Sequence, residues 1–220
     1  MVNQENKQIN KKDAPDRIKP VLNGAAETML QSFYARAMYS KNPKHKFKDE
    51  KAEEIVAKLD YDFSKASKDN TMSTGVIART VVFDELVSDF IKKNPDCTVV
   101  NIACGLDTRF YRMDNGKITW YNLDLPETIA VRDSVYKEKG RVSTIGCSCF
   151  DPAWAEQVTV RGKMLFIIEG LSMYLTKEQV QKIMPILILL ISASLEKLVK
   201  RLIWYLSMRR NMDIPGEVRS

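Results

Sequence analysis

An apolar run that ends in a small-residue loop, followed at a fixed distance by an acid, constrains this sequence more than any other feature. Residues Val99–Arg109 begin as a β-branched run and turn at Gly105 into a charged and aromatic segment. A second apolar run ends in Asp124, nineteen positions after Gly105. A strand, a glycine turn and an acid at the tip of the next strand are the parts of a nucleoside-binding crevice, in which the carboxylate accepts the ribose hydroxyls.

The loop after the first run does not have the composition of a phosphate cradle. Gly105 is the only glycine between Ala103 and Thr108, and Asp107 adds a negative charge that would repel a pyrophosphate. The GxGxxG and GxxxxGK[ST] patterns are absent, which disfavours NAD, FAD and ATP. A nucleoside that lacks phosphates and carries a positive charge fits better, and S-adenosylmethionine is such a molecule.

Apolar runs and helical segments alternate from residue 97 onward, which predicts an α/β fold with a parallel sheet and helices on both faces. The expected strands are Thr98–Ala103, Thr119–Leu123, Val142–Ile145 and Met164–Ile168. Pro126 can occupy the first turn of a helix that runs to about Lys139. Thr176 and Gln179 have the spacing of a capping box that opens a further helix.

The residues before the first strand predict a helical cap, and the whole chain is expected to form a single domain. Expected helices are Ala25–Ser40, a helix capped by Asp49 that runs through Leu59, and Thr74–Lys93. We divide the chain into a flexible arm (1–24), an N-terminal helical cap (25–95), a Rossmann-like cofactor-binding core (96–182) and a divergent C-terminal tail (183–220). The apolar run Ile183–Leu195 is too short for a membrane span and is expected to be a buried strand or helix.

Composition excludes several classes of function. The formal net charge is +6, but much of the basic excess lies near the two ends of the chain, so we expect no nucleic-acid partner and no membrane partner. The four cysteines form no CxxC pair and the single histidine is distant from them, so no zinc site is expected. The polar N-terminus does not resemble a signal peptide, and unpaired thiols favour a cytoplasmic location.

Four sequence blocks resemble the leucine carboxyl methyltransferase family, which includes bacterial O-methyltransferases similar to the tetracenomycin polyketide enzyme. These blocks are Asn101–Arg112, Tyr121–Glu127, Asp151–Trp154 and Glu169–Leu175, with weaker matches at Tyr34–Ala37 and Tyr61–Phe63. The resemblance covers roughly residues 25–182. It implies a Rossmann-like class I methyltransferase that uses S-adenosyl-L-methionine and methylates a carboxylate or hydroxyl of a small, polyketide-like acceptor.

The resemblance also implies roles for the residues that match the family's cofactor positions. Arg79 would pair with the methionine carboxylate, Arg36 would be a second basic residue in the same region, and Gly105 would line the methionine part. Asp124 would accept the ribose hydroxyls, although it could instead cap the helix that follows. Arg79 could also be a solvated charge on its helix.

The remaining matched positions would complete the site. Ser148 and Cys149 fall where the family contacts adenine, and Glu169 would lie beside the cofactor and the acceptor, or else cap a helix at the strand end. Tyr174 could contact the substrate or pack its ring. No catalytic residue is identified: Cys104 has no visible base partner and reads as a packed thiol. The resemblance assigns no role to Arg109 and Arg112, which could pair with acids to hold the loop.

The proposed chemistry is a direct displacement that needs no metal, since the sulfonium is already an activated methyl donor. The resemblance ends after about Lys182, where the family continues with a further strand, more helix and a closing β-hairpin. We therefore expect the C-terminal strands to be incomplete. The alternative function is a truncated, catalytically inactive fragment that binds the cofactor or interacts with other proteins.

Overall fold

A computed structural model describes residues 25–64 and 70–212, so the expected arm (1–24) lies outside the described residues. The elements follow one another as α1 (Ala25–Lys41), α2 (Glu50–Lys58), α3 (Asn70–Lys93), β1 (Thr98–Ile102), α4 (Arg109–Met113), β2 (Thr119–Asp124), α5 (Pro126–Tyr136), β3 (Val142–Gly146), α6 (Ala153–Glu156), β4 (Met164–Ile168) and α7 (Lys177–Met212). A single turn of 3-10 helix, Ser172–Tyr174, lies between β4 and α7.

The described strands form one parallel sheet in the order β3-β2-β1-β4, which confirms the expected parallel α/β architecture. The chain moves outward from β1 through β2 to β3 and then crosses to place β4 on the other side of β1. The order of the strands therefore reverses at β1. In open α/β sheets, ligands bind at the carboxyl ends of the strands beside such a switch point.

Both faces of the sheet are covered by helices, as the sequence predicts. One face buries Val99 and Trp120 against α3, which contributes Val87 and Ile91. The other face buries a separate cluster against α7, comprising Val100, Ile102, Tyr121, Leu123, Ile183, Ile186, Leu187 and Leu190. A sheet covered on both faces explains why all five residues of β1 are buried, rather than alternate ones.

The cap formed by α1 and α2 packs onto the loop that follows β1. Its core contains Leu30, Phe33 and Ile55, together with Leu106 from the loop and Tyr136 from α5. The side chain of Asp49 accepts a hydrogen bond from the backbone N–H of Ala52 at 3.1 Å, so the expected N-cap of α2 is confirmed. The cap therefore fixes the loop through apolar packing as well as through polar contacts.

The C-terminal segment is one long helix, α7, that passes through residue 183 and through Pro185. Its expected capping box is confirmed: Thr176 N–H donates to Gln179 Oε1 at 2.8 Å, and Gln179 N–H donates to Thr176 Oγ1 at 3.3 Å. The run Ile183–Leu195 is therefore helical, but the expectation that it is buried holds for one face only. The large apolar side chains on its other face are exposed: Met184, Ile188, Leu189, Ile191 and Leu195. Within the described residues, no helix combines the length and the hydropathy that crossing a bilayer requires.

Candidate functional site

A cavity of about 710 Å³ opens at the carboxyl edge of the sheet, beside the switch point. This volume is typical of a small-molecule site. Its walls come from α1 of the cap, from α3, from the loop after β1, and from the ends of β2 and β4. The lining residues are Met29, Ser32, Arg36, Val76, Arg79, Asn101, Ala103, Cys104, Gly105, Leu106, Asp107, Asp124, Thr128, Glu169, Gly170, Met173 and Tyr174.

The cavity brings together most of the residues that the sequence singled out. Arg36, Arg79, Gly105, Asp124, Glu169 and Tyr174 all line it. Ser148 and Cys149 do not belong to the lining and lie in the loop after β3. This loop begins beside Asp124, because Gly146 pairs with Asp124 in the sheet and the N–H of Cys147 donates to the Asp124 carbonyl at 2.9 Å. The adenine contact of Ser148 and Cys149 therefore stays a prediction.

The loop after β1 has an unusual backbone where it approaches the cap. Gly105 has φ +48°, a conformation that side chains disfavour, and Ala103 also has a positive φ of 55°. A Cβ on Gly105 would stand 3.0 Å from Cγ and Sδ of Met29 on α1. Glycine is therefore the residue that keeps the loop and the cap in close approach.

Asp124 connects this loop to the end of β2. Its Oδ2 accepts the Gly105 N–H at 2.8 Å, and its Oδ1 accepts the Leu125 N–H at 2.8 Å. The side chain of Thr128 donates a third hydrogen bond to Asp124. A carboxylate has about four acceptor positions, so it can still receive a hydroxyl donor from a ligand. Burial raises the pKa of Asp124 above its ordinary value, against the hydrogen bonds from Gly105, Leu125 and Thr128. Asp124 is not the N-cap of α5, because that position is held by Leu125.

Glu169 at the end of β4 is held by two arginines. Arg79 Nε donates to Glu169 Oε1 at 3.0 Å, and Arg109 Nη2 donates to Oε2 at 2.7 Å. The side chain of Arg79 is 38% exposed and that of Glu169 is 15% exposed. Arg79 is thus neither a freely solvated charge nor fully buried, and Glu169 forms ion pairs rather than capping a helix.

Arg109 and Arg112 of α4 join the cap to the loop, which is the holding role that the sequence left open. Arg109 is 1% exposed and binds Asp84 on α3 at 2.7 Å and Asp107 in the loop at 2.8 Å. Arg112 also binds Asp84 at 2.7 Å, and it binds Asp49 at the start of α2 at 2.8 Å. Burial alone would lower the pKa of Arg109, but the surrounding carboxylates outweigh burial and raise it.

Arg132 on α5 is a structural residue that sequence reasoning missed. Its Nη1 donates to the carbonyl oxygens of Gly105 and Asp107, each at 2.9 Å, and its Nη2 pairs with Glu138 at 2.6 Å. Arg36 donates to the carbonyl between these two, that of Leu106, at 3.1 Å. Consecutive carbonyls of the loop are therefore held by arginines, which fixes the backbone around Gly105. The sequence carries no local pattern that would have identified Arg132.

Cys104 is a packed thiol, as the sequence predicts. The residue is buried, and burial raises the pKa of its thiol far above the ordinary value. A thiol rather than a thiolate is a poor nucleophile. The Cys104 backbone N–H donates to the Leu123 carbonyl at 3.2 Å, so the residue connects β1 to β2 at the base of the cavity.

Neighbouring side chains neutralise the charge of Asp107, so this charge would not repel a pyrophosphate as the sequence suggested. Its Oδ2 accepts from Arg109 Nη1 at 2.8 Å and from Asn101 Nδ2 at 3.0 Å. The loop therefore does not present a free negative charge. The absence of a glycine-rich phosphate pattern carries the exclusion of pyrophosphate cofactors by itself.

We expect Asp107 to make the protein sensitive to acid. Burial would raise its pKa, but Arg109 and Arg112 outweigh burial and hold the pKa well below the ordinary range. A lowered folded-state pKa gives stability that is present above the unfolded value of about 3.9 and is lost as the pH falls below it. Asp107→Asn should therefore flatten the fall in melting temperature between about pH 5 and pH 3. An unchanged slope in thermal unfolding across that range would contradict the assignment.

The parallel sheet, its covering helices and the switch-point cavity without a phosphate cradle define a Rossmann-like methyltransferase fold. The sequence model of a family described as leucine carboxyl methyltransferase matches residues 24–187. The chain therefore belongs to the leucine carboxyl methyltransferase family, in agreement with the resemblance drawn from its motifs. The matched residues include every element of the described sheet.

Curated relatives agree with this assignment. The chain is 35% identical over 158 residues to the tetracenomycin polyketide synthesis O-methyltransferase TcmP of Streptomyces glaucescens, a match that spans 70% of this chain and 57% of the relative. It is 30% identical over 182 residues to the S-adenosyl-L-methionine-dependent methyltransferase dpfgK of Gibberella zeae, which spans 75% of this chain and 61% of the relative. The chain thus spans about three fifths of the length of these relatives.

Proposed function

We propose that this protein is an S-adenosylmethionine-dependent O-methyltransferase that transfers a methyl group to a carboxylate or hydroxyl of a small, polyketide-like molecule. One observation carries the proposal. A carboxylate (Asp124), a glycine turn (Gly105) and an arginine held by an acid (Arg79 with Glu169) face one cavity at the switch point of a family member.

The residues around the cavity fit the parts of this cofactor. Asp124 presents a carboxylate at the end of β2, where it can accept from the ribose of a bound nucleoside. Gly105 allows the loop to lie against Met29 of the cap while its N–H binds Asp124. Within the described part of the chain, the only partner of the Arg79 side chain is Glu169 through Nε. Its terminal nitrogens are therefore available to a carboxylate, and such pairing is a strong, charge-assisted contact.

The residues of the chain contribute mainly by positioning. The cofactor, when bound, supplies a methyl group on a positively charged sulfur. Arg79 and Asp124 would hold the two ends of that molecule, since they line the same cavity from α3 and from the end of β2. Alignment of reactants can supply up to about 7–11 kcal/mol of a reaction barrier. Glu169 already accepts from two arginines, so we assign it a holding role and not that of a base.

The wall of the cavity formed by Met29, Val76, Met173 and Tyr174 supports an apolar acceptor. Met173 and Tyr174 are 68% and 72% exposed and lie next to Glu169 and Gly170 in the lining. Large exposed side chains at a cavity mouth are candidates for contact with a second molecule. The Streptomyces relative is a tetracenomycin polyketide synthesis O-methyltransferase. These two points support a polyketide-like small molecule as the methyl acceptor. We propose that Tyr174 contacts this acceptor.

The proposal includes a cytoplasmic location and no nucleic-acid partner. The four thiols Cys97, Cys104, Cys147 and Cys149 favour a reducing compartment. A nucleic-acid-binding function would instead give strong, salt-dependent retention of the protein on immobilised DNA or RNA. We expect no such retention at physiological salt.

Calorimetric titration with S-adenosylhomocysteine tests the proposal. We expect saturable binding and a rise in melting temperature, because a ligand that binds the native state stabilises it. Absence of both heat and thermal shift at millimolar ligand would exclude the proposed cofactor. A second assay follows methyl transfer to carboxylate and phenol acceptors. Binding without transfer across both classes would favour a protein that binds the cofactor and does not turn over.

A further inference from the structure

We propose that Arg109 is a positioning residue that fixes Glu169 and, through Glu169, aims Arg79 at the amino-acid part of the cofactor. This inference rests on the proposed function, since it concerns the same cavity. The three side chains form a chain of ion pairs from the protein interior to the cavity. Their exposed fractions rise along it, from 1% for Arg109 to 15% for Glu169 and 38% for Arg79.

Glu169 is held from both sides. Its Oε2 receives Arg109 Nη2 at 2.7 Å from the buried side, and its Oε1 receives Arg79 Nε at 3.0 Å from the cavity side. Each oxygen therefore has its own arginine. A carboxylate bound in this manner has a fixed plane, which the flexible glutamate side chain would not have alone.

Arg109 is itself anchored in two further directions. Its Nε donates to Asp84 at 2.7 Å and its Nη1 donates to Asp107 at 2.8 Å, while its Nη2 donates to Glu169. The three nitrogens of one planar group thus bind α3, the loop after β1 and the end of β4. A guanidinium bound at every nitrogen does not rotate, and arginine alone presents donors on three separate nitrogens in one plane.

The fixed position of Glu169 in turn orients Arg79 at the cavity. Glu169 accepts a hydrogen bond from Nε of Arg79, so the terminal nitrogens of Arg79 keep one orientation. Arg79 Nη2 lies 3.6 Å from the point where a Cβ of Gly170 would stand, so the guanidinium also lies close to the backbone after β4. A long side chain that is pre-organised before binding loses less conformational freedom when a ligand arrives. Arg109 should therefore matter only for ligands that carry the amino-acid carboxylate.

The experiment compares two nucleosides, S-adenosylhomocysteine and 5′-methylthioadenosine, which lacks the amino-acid carboxylate. Arg109→Met should weaken S-adenosylhomocysteine binding about tenfold, the scale of one charge-assisted hydrogen bond. Binding of 5′-methylthioadenosine should change less than about twofold. Arg112→Met is the matched control, because Arg112 belongs to the same cluster and binds Asp84 but does not contact Glu169. It should leave the ratio of the two affinities unchanged.

A double variant separates positioning from a general structural effect. If Arg109 acts through Arg79, then adding Arg109→Met to Arg79→Met should not weaken S-adenosylhomocysteine binding further. Equal losses for both nucleosides, or a full further loss in the double variant, would overturn the inference. If Arg109→Met does not fold, Arg109→Lys carries the test: its single nitrogen cannot span three carboxylates, so the same ligand-dependent loss is expected. A wild-type protein that binds neither nucleoside would refute the proposed function itself.

Discussion

Replacing Arg132 with methionine should lower the free energy of unfolding by about 3–5 kcal/mol, the scale of breaking a buried ion pair from one side. The side chains of Arg132 and Glu138 are 0% and 2% exposed and pair at 2.6 Å. Removing the guanidinium leaves Glu138 as an uncompensated buried charge. It also leaves the carbonyls of Gly105 and Asp107 without their donor. Urea denaturation followed by circular dichroism measures the change.

Arg141→Met provides the matched control for this prediction. Arg141 pairs with Asp114 at the surface, where its side chain is 45% exposed. Exposed ion pairs contribute about 0–1 kcal/mol, so this variant should unfold close to the wild-type midpoint. Adding Glu138→Gln to Arg132→Met should restore part of the stability, because the unpaired charge is removed. Equal losses for Arg132→Met and Arg141→Met would contradict the structural role of Arg132.

Replacing Asp124 with alanine should weaken S-adenosylhomocysteine binding by about 1.5–3 kcal/mol, or roughly 10–150-fold, the scale of hydrogen bonds to a charged group. The variant loses the acceptor for the ribose hydroxyls. It also loses the partner that Gly105 N–H and Leu125 N–H share. Isothermal titration gives the affinity, and thermal unfolding of the free protein reports separately on the loop.

The pH dependence of binding gives a second measurement on Asp124. The ionised carboxylate accepts hydroxyl donors, so affinity is present above the pKa and is lost as the pH falls through it. Because burial raises the pKa of Asp124, the loss should begin at a higher pH than an ordinary aspartate would give. Asp133→Ala on α5 removes an exposed carboxylate outside the cavity lining and should bind as the wild type does. An unchanged dissociation constant in Asp124→Ala would remove Asp124 from the ribose role.

The fold could be predicted from local sequence because its signals are local. β1 to β4 are short apolar runs, and the observed bounds differ from the expected ones by a residue at most. The N-cap at Asp49 and the capping box at Thr176 and Gln179 depend on residues three positions apart. The short helices were not predicted, such as the five-residue α4 and the four-residue α6, because about one turn of helix shows little hydrophobic periodicity.

Some residues of the candidate site could also be predicted from local sequence, whereas their partners could not. Gly105 and Asp124 follow from the spacing of two strand ends, while the roles of Arg79 and Glu169 came from the family resemblance. Their actual partners could not be predicted, because the ion pairs join distant parts of the chain. Arg79 pairs with a residue 90 positions away and Arg109 with residues 25 and 60 positions away. Such contacts depend on the tertiary fold and leave no periodic pattern.

A crystal structure of the protein in complex with S-adenosylhomocysteine would show whether the cavity binds the cofactor. We expect the ligand to occupy the cavity at the carboxyl edge of the sheet. Both ribose hydroxyls should lie within hydrogen-bond distance of Asp124, and the amino-acid carboxylate should lie at Arg79. A ligand bound elsewhere, or one in the cavity whose ribose faces away from Asp124, would rule out the proposed cofactor site.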